Sequence, residues 1–138
     1  MKSINCILLV DDDESDNFFH TLTIQEAEFC NQIKVATDGR YALDYMLKAL
    51  NAETASEYPM PDIIFLDINM PRMDGFDFLD EYLLLDETKT SGIVIIMLTT
   101  SLNPYDMERA MNYKVVRDYR NKPLTAEMLQ EIIDKYFL

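Results

Sequence analysis

The chain has 138 residues, of which 49% are hydrophobic, and it carries a formal net charge of −13. This length predicts one domain whose hydrophobic core needs no metal or disulfide support. The acid excess argues against a nucleic-acid-binding surface, which requires clustered lysines and arginines. It also argues against binding to anionic lipid, so neither nucleic acid nor a membrane is an expected partner.

The N-terminus and the cysteines indicate a cytoplasmic protein. Residues 1–13 contain one short apolar run that Asp11 interrupts, which predicts neither a signal peptide nor a membrane span. The two cysteines, Cys6 and Cys30, have no spacing typical of a metal or redox site. We interpret both as reduced, buried thiols.

The N-terminal half predicts a strand, a helix, a second strand and a second helix. Strands are recognised as apolar or alternating runs, and helices by apolar residues three and four positions apart. In chain order these are a buried strand at 6–10, a helix at 15–29 with Phe18, Phe19, Leu22 and Phe29 on its apolar face, a half-buried strand at 32–37, and a helix with Leu43, Met46, Leu47 and Leu50. His20 lies off that first apolar face, and we interpret it as a surface or packing residue.

The C-terminal half continues the alternation after a loop at 51–61. In chain order it predicts a buried central strand at 63–66, a helix with Phe76, Leu79 and Leu83, a buried strand at 93–98, a helix that begins at Asn103-Pro104 with Met107, Ala110 and Met111 on its apolar side, an edge strand at 115–121, and a helix with Leu129, Ile132, Ile133 and Tyr136 that Thr125 caps. Five strands that alternate with five helices predict an α/β fold with a parallel sheet covered on both faces. We expect residues 1–138 to form a single doubly wound (βα)5 domain without an output domain.

Polar residues follow the predicted strands where these end. Asp11 and Asp12 follow the first strand, Asp67 the central one, Thr99 the fourth and Lys122 the fifth. Because the carboxyl ends of parallel strands share one edge of a sheet, these side chains are expected to converge. Clustered carboxylates repel one another unless a cation joins them, and oxygen ligands suit Mg2+. A carboxylate beside a metal ion and a lysine can act as a nucleophile toward phosphorus.

Four motifs carry a resemblance to a known family. They are Ile-Leu-Leu-Val-Asp-Asp-Asp at 7–13, Leu-Asp-Ile-Asn-Met-Pro-Arg-Met-Asp-Gly at 66–75, Met-Leu-Thr-Thr-Ser at 97–101 and Asn-Lys-Pro-Leu at 121–124. The chain resembles a receiver domain of two-component signalling, specifically a stand-alone response regulator similar to the chemotaxis regulator. The resemblance covers nearly the whole chain, and it implies a flavodoxin-like sheet in the strand order 2-1-3-4-5.

The resemblance implies that Asp67 accepts a phosphoryl group from a histidine kinase or a histidine phosphotransfer protein. It implies that Asp12 and Asp67 bind Mg2+ by side chain, Asn69 by its backbone carbonyl, and Asp11 through metal-bound water. Such a protein catalyses only its own phosphorylation and dephosphorylation and is otherwise not an enzyme.

Further roles implied by the resemblance concern the phosphoryl oxygens and the switch. Thr99 and Lys122 would hold the phosphoryl oxygens, and the bond between Lys122 and Pro123 would be cis. Tyr119 matches the switch aromatic that moves with Thr99. Asn69 and Ser101 lie at the mouth of the site and would tune the attack of water. A downstream protein would bind the surface of the fourth helix, the fifth strand and the fifth helix.

Two positions depart from the family pattern, since Arg120 and Asn121 stand where the last strand is usually apolar. Competing functions fit less well. A haloacid-dehalogenase-type phosphatase needs an acid where Asn69 stands, a flavin carrier would not place three aspartates at 11–13, and 67–75 lacks the ligand spacing of a calcium loop. The alternative left open is a pseudo-receiver, an interaction module that signals without phosphate.

Overall fold

Five parallel strands form one sheet in the computed structural model, which describes residues 4–137. The strands are β1 (Ile4–Val10), β2 (Cys30–Ala36), β3 (Ile63–Leu66), β4 (Val94–Thr99) and β5 (Val116–Asn121). Their order is β2-β1-β3-β4-β5, and every neighbouring pair is parallel, which confirms the predicted topology. The position of β5 at an edge of the sheet is also as predicted.

Six helices lie within the described residues, one more than the sequence predicts. They are α1 (Glu14–Ala27), α2 (Gly39–Leu50), α3 (Gly75–Tyr82), α4 (Glu87–Thr90), α5 (Pro104–Met111) and α6 (Ala126–Tyr136). The additional helix, α4, has four residues, and such a length is too short to produce a recognisable apolar period. Among the helices of the described chain, none has both the length and the apolar character that a membrane span requires.

The sheet separates two hydrophobic cores because successive side chains of a strand point to opposite faces. On one face, Leu66 and Met97 pack in a cluster with residues of α2 and α3 such as Met46 and Phe78. On the other face, Phe65 and Ile96 belong to a second cluster with Ile24 of α1 and with Leu129, Ile132 and Ile133 of α6. All four residues of β3 are buried, as expected for a central strand covered on both faces.

The predicted apolar face of α1 is wrong. Phe18, Phe19 and Leu22 are exposed, and the residues that face the sheet are Asn17, His20 and Ile24. Two of these are polar but have partners: the Asn17 amide donates to the carbonyl of Asp11 at 2.8 Å, and the N–H of Leu124 donates to His20 Nε2 at 3.3 Å. The buried face of α1 is therefore partly polar: His20 and the Asn17 amide nitrogen have partners, whereas the buried Asn17 Oδ1 has none among the described residues.

Other helix faces differ in smaller ways. In α5 only Ala110 is buried, whereas Met107 and Met111, which were predicted to face the core, are exposed. Helix α1 ends at Ala27, before the predicted position 29, because Glu28 adopts a left-handed conformation with φ of 58°. Cys6 is buried as predicted, while Cys30 is only half-buried; burial raises the pKa of Cys30 to about 11.

Candidate functional site

The site lies at the edge of the sheet where the strands end. Asp11 directly follows β1 and Asp67 directly follows β3, and the N–H of Asp67 donates to the carbonyl of Val10 at 2.9 Å. Lys122 directly follows β5, and its N–H donates to the carbonyl of Thr99 at 2.9 Å. Backbone bonds between neighbouring strands therefore fix the positions from which these side chains reach the site.

Three carboxylates form a cluster at this edge. Asp11, Asp12 and Asp67 each offer an oxygen, and these oxygens lie within 4.8 Å of one another. Asp12 is exposed, while Asp11 and Asp67 are buried. Oxygen-only donors at this spacing fit a hard cation such as Mg2+. Asn69, the other predicted ligand, is exposed in the loop after β3, and the role of its carbonyl stays a prediction.

The ammonium of Lys122 lies among carboxylates. Its Nζ atom is 2.6 Å from Asp11 Oδ2, 2.7 Å from Asp16 Oδ2 and 3.0 Å from Asp67 Oδ2. Burial alone would lower the pKa of Lys122, but the hydrogen bonds to Asp11 and Asp16 and the charge of Asp67 raise it above its ordinary value. The lysine is therefore a charged donor held next to Asp67.

The two buried carboxylates have distinct surroundings. Asp67 accepts a hydrogen bond from the N–H of Ile68 at Oδ1, at 2.8 Å, and from Lys122 at Oδ2. Asp11 accepts from the N–H of Asp13 at 2.9 Å. Burial raises the pKa of Asp11, although the hydrogen bonds from Lys122 and Asp13 act in the opposite direction.

Asp16 is part of the site, and the sequence reading missed it. It lies in the first turn of α1, after the N-cap residue Asp13, whose Oδ1 accepts from the N–H of Asp16 at 3.0 Å. Helical side chains tilt toward the N-terminus of their helix, so an aspartate in this first turn points back toward the strand ends. The acidic residues in the first turn of α1, directly after the aspartates at 11–13, are the sequence feature that could have indicated its role.

Thr99 and Tyr119 are connected through Ser101 in the loop after β4. Thr99 is fully buried, and its Oγ1 accepts from the N–H of Ser101 at 3.2 Å. The hydroxyl of Tyr119 donates to the carbonyl of Ser101 at 3.4 Å. Within residues 4–137 no hydrogen bond joins Thr99 to Asp67, so the predicted bond from Thr99 to a phosphoryl oxygen stays a prediction.

The two residues that depart from the family pattern have defined contacts. The Asn121 amide donates to the carbonyls of Thr99, at 3.3 Å, and Ser101, at 3.0 Å, and so ties β5 to the loop after β4. Arg120 pairs with Asp118 on the same strand at 2.8 Å. The Ser101 hydroxyl donates to Asp106 in α5 at 2.6 Å. The loop that carries the predicted site-mouth residue is thus held from two sides.

The segment after Lys122 contacts α1 through His20. The bond between Lys122 and Pro123 is cis, as the resemblance implies. The next residue, Leu124, donates its N–H to His20, which is 3% exposed. Burial lowers the pKa of His20, although the charge of Asp16 acts in the opposite direction. His20 is therefore a neutral acceptor and a packing residue.

The chain is similar to proteins of one known family. The family model described as the response regulator receiver domain matches residues 7–134. The chain is 28% identical over 129 residues to a probable methanogenesis regulatory protein, FilR2, of Methanothrix harundinacea. The aligned region covers 94% of this chain and 79% of that protein. It spans only 25% and 45% of the length of two further curated relatives.

Solved structures show the same fold. A two component response regulator from Cytophaga hutchinsonii superposes with a TM-score of 0.85 and 30% identity, over 98% of both chains. The chemotaxis protein CheY4 of Vibrio cholerae superposes with a TM-score of 0.75 and 27% identity, over 98% of this chain and 100% of that one.

Proposed function

Because the chain belongs to the response regulator receiver domain family of two-component signalling, we propose that it accepts a phosphoryl group on Asp67 in a Mg2+-dependent reaction and switches its partner binding through Thr99 and Tyr119. One observation carries the proposal. The carboxylate of Asp67 stands at the end of the central strand, 3.0 Å from a charged lysine and within a cluster of two further carboxylates. This is the environment of an activated carboxylate nucleophile.

In the proposed reaction, an oxygen of Asp67 attacks the phosphorus of a phosphohistidine and forms a new O–P bond. The P–N bond breaks, its electron pair stays on the imidazole nitrogen, and that nitrogen takes a proton from water. The product is an acyl phosphate on Asp67. Lys122 remains protonated and donates to a phosphoryl oxygen, which stabilises the charge that this oxygen carries during the transfer.

The carboxylate cluster fits a divalent cation. Asp12 and Asp67 would hold Mg2+ by side chain, Asn69 by its backbone carbonyl, and Asp11 through bound water. When bound, Mg2+ supplies positive charge that offsets the carboxylates and the phosphoryl oxygens. The fit is supported by charge as well as by donor type, since the single ammonium of Lys122 faces several acidic groups.

The proposed switch uses the loop between Thr99 and Ser101. A phosphoryl oxygen on Asp67 would accept a hydrogen bond from the Thr99 hydroxyl and draw that residue inward. Tyr119, whose hydroxyl now bonds the carbonyl of Ser101, would then rotate into the space that is left. A differential contact of about 1.4 kcal/mol changes the ratio of two states tenfold, so one such hydrogen bond is enough to shift the population.

The proposed partners follow from these steps. The phosphoryl donor is a sensor histidine kinase or a histidine phosphotransfer protein, and the recipient of the signal binds the surface of α5, β5 and α6. The chain acts on no other substrate, and it works in the cytoplasm. Cys6 and Cys30 form no disulfide bond. Because disulfide bonds form mainly in oxidising compartments, two free cysteines support a cytoplasmic location.

Uptake from acetyl phosphate tests the proposal without a partner protein. Intact-mass spectrometry of the wild-type chain should show one added phosphoryl group in the presence of Mg2+ and far less after chelation. Asp67→Asn should remain unmodified, while Asp134→Asn, which changes an exposed aspartate of α6, should behave as the wild type does. Uptake that is independent of Mg2+ would contradict the metal site. A wild-type chain that takes up nothing would leave the phosphate-independent interaction module as the function.

A further inference from the structure

Asp16 is bound to the lysine of the phosphoryl site from outside the strand ends. Its Oδ2 atom lies 2.7 Å from Lys122 Nζ, although the two residues are 106 positions apart. The Asp16 side chain is 33% exposed, whereas the side chains of Asp11 and Asp67 are 6% and 10% exposed. Of the three carboxylates on this ammonium, Asp16 is therefore the most accessible to water.

Three carboxylates surround the Lys122 ammonium, which donates hydrogen bonds to Asp16 and Asp67 and forms an ion pair with Asp11. An ammonium has three N–H groups, and three carboxylate oxygens lie within 3.0 Å of the Lys122 nitrogen. A phosphoryl oxygen on Asp67 therefore competes with these carboxylates for the N–H groups of Lys122. Asp11 and Asp67 are buried directly after their strands. Asp16 lies on helix α1, and its side chain can rotate away from Lys122 into water and remain solvated.

We propose that Asp16 is a positioning residue for Lys122 that competes with the phosphoryl group for the ammonium. In the unphosphorylated chain it holds Lys122 in place, and on phosphorylation it gives up the contact and leaves an uncompensated negative charge near the phosphoryl oxygens. Both effects weaken the binding of the phosphoryl group, so Asp16 shortens the lifetime of the phosphorylated state. This inference rests on the function proposed above.

Binding of beryllofluoride, a phosphoryl mimic, measures the competition directly. In saturating Mg2+ and near-physiological salt, Asp16→Asn and Asp16→Ala should bind beryllofluoride about three- to tenfold more tightly than the wild type, the range expected for a partly exposed charged pair. Their acyl phosphates should also hydrolyse more slowly. Asp16→Glu, which keeps the carboxylate, should return both values toward those of the wild type.

The control removes the same charge without the contact. Glu14 lies in the same first turn of α1 and is exposed, so Glu14→Gln loses one negative charge and a similar helix-dipole interaction but no bond to Lys122. It should bind beryllofluoride as the wild type does, because salt screens an exposed charge. A purely structural role for Asp16 would loosen the site, and a loosened site binds the mimic more weakly.

The outcomes separate this inference from the proposed function. If the wild type binds beryllofluoride and both Asp16→Asn and Asp16→Ala bind it equally or more weakly, Asp16 does not compete and the inference is overturned. If Glu14→Gln shows the same gain, the effect is one of general charge and the inference is again overturned. If the wild type does not bind beryllofluoride in Mg2+, the proposed function itself fails. Asp16→Asn is nearly isosteric and decides the question even if Asp16→Ala does not fold.

Discussion

Gly75, the first residue of α3, lies against the backbone of the proposed acceptor, so replacing it by alanine should destabilise the protein. A Cβ atom at this position would be 2.3 Å from the carbonyl oxygen of Asp67 and 3.0 Å from Cα of Ile68. The N–H of Gly75 also donates to the carbonyl of Ile68 at 2.8 Å, which holds the two segments together. Because both neighbours are backbone atoms, the alanine methyl group can be accommodated only if a chain segment moves.

The size of the effect follows from two opposing terms. Forcing an extra methyl group into a packed site costs about 1–3 kcal/mol, and the upper part of this range applies where backbone has to shift. Alanine is favoured over glycine inside a helix by about 1 kcal/mol, and by less at the first helical position. Gly75→Ala should therefore lower the free energy of unfolding by about 2 kcal/mol, and it should slow phosphoryl uptake because the peptide of Asp67 moves.

Urea denaturation followed by circular dichroism measures this change. The matched control is Gly92→Ala, since a Cβ atom at Gly92 meets nothing within 4 Å. That variant should be unchanged or more stable by up to about 1 kcal/mol, because alanine restricts the unfolded chain. If Gly75→Ala proves as stable as Gly92→Ala, the close approach between α3 and Asp67 is misjudged.

Two further predictions concern His20 and the switch. Because burial lowers the pKa of His20, the unfolded chain binds a proton at this residue more readily than the folded chain does. The free energy of unfolding should therefore fall as the pH drops below about 6.5. In urea titrations between about pH 7.5 and 5.5, His20→Gln should make this dependence on pH less steep. Equal slopes in the two proteins would show that His20 is not the titrating group. Beryllofluoride with Mg2+ should shift the amide resonances of Thr99, Tyr119 and α5 in nuclear magnetic resonance spectra. Shifts confined to the loops around Asp67 would instead indicate a phosphate carrier without this switch.

The strands and their polar ends could be predicted because the signals are local. The runs that became β3 and β4 are almost entirely apolar and end in Asp67 and Thr99, so their burial and the convergence of their ends follow from the parallel arrangement. The strand order, in contrast, came only from the resemblance, since alternation of strands and helices leaves several orders possible.

The helix faces and Asp16 depend on tertiary partners that the sequence does not display. In α1 the apolar period fitted Phe18 and Leu22, but the helix instead buries Asn17 and His20. His20 accepts from the N–H of Leu124, 104 residues away, and Asn17 donates to the nearby carbonyl of Asp11. The partner of Asp16 lies 106 residues away, beyond the reach of any local pattern. Hydrophobic periodicity therefore cannot predict polar side chains, such as those of His20 and Asp16, whose partners are far away in the sequence.

The central claim is that Asp67 carries the phosphoryl group, and chemical trapping tests it most directly. Borohydride reduces an aspartyl phosphate to homoserine, so the chain is treated with acetyl phosphate and Mg2+, reduced, digested and sequenced by mass spectrometry. We predict conversion at Asp67 alone, with Asp11, Asp12 and Asp16 intact. Conversion at one of those three residues, or modification that persists in Asp67→Asn, would contradict the account.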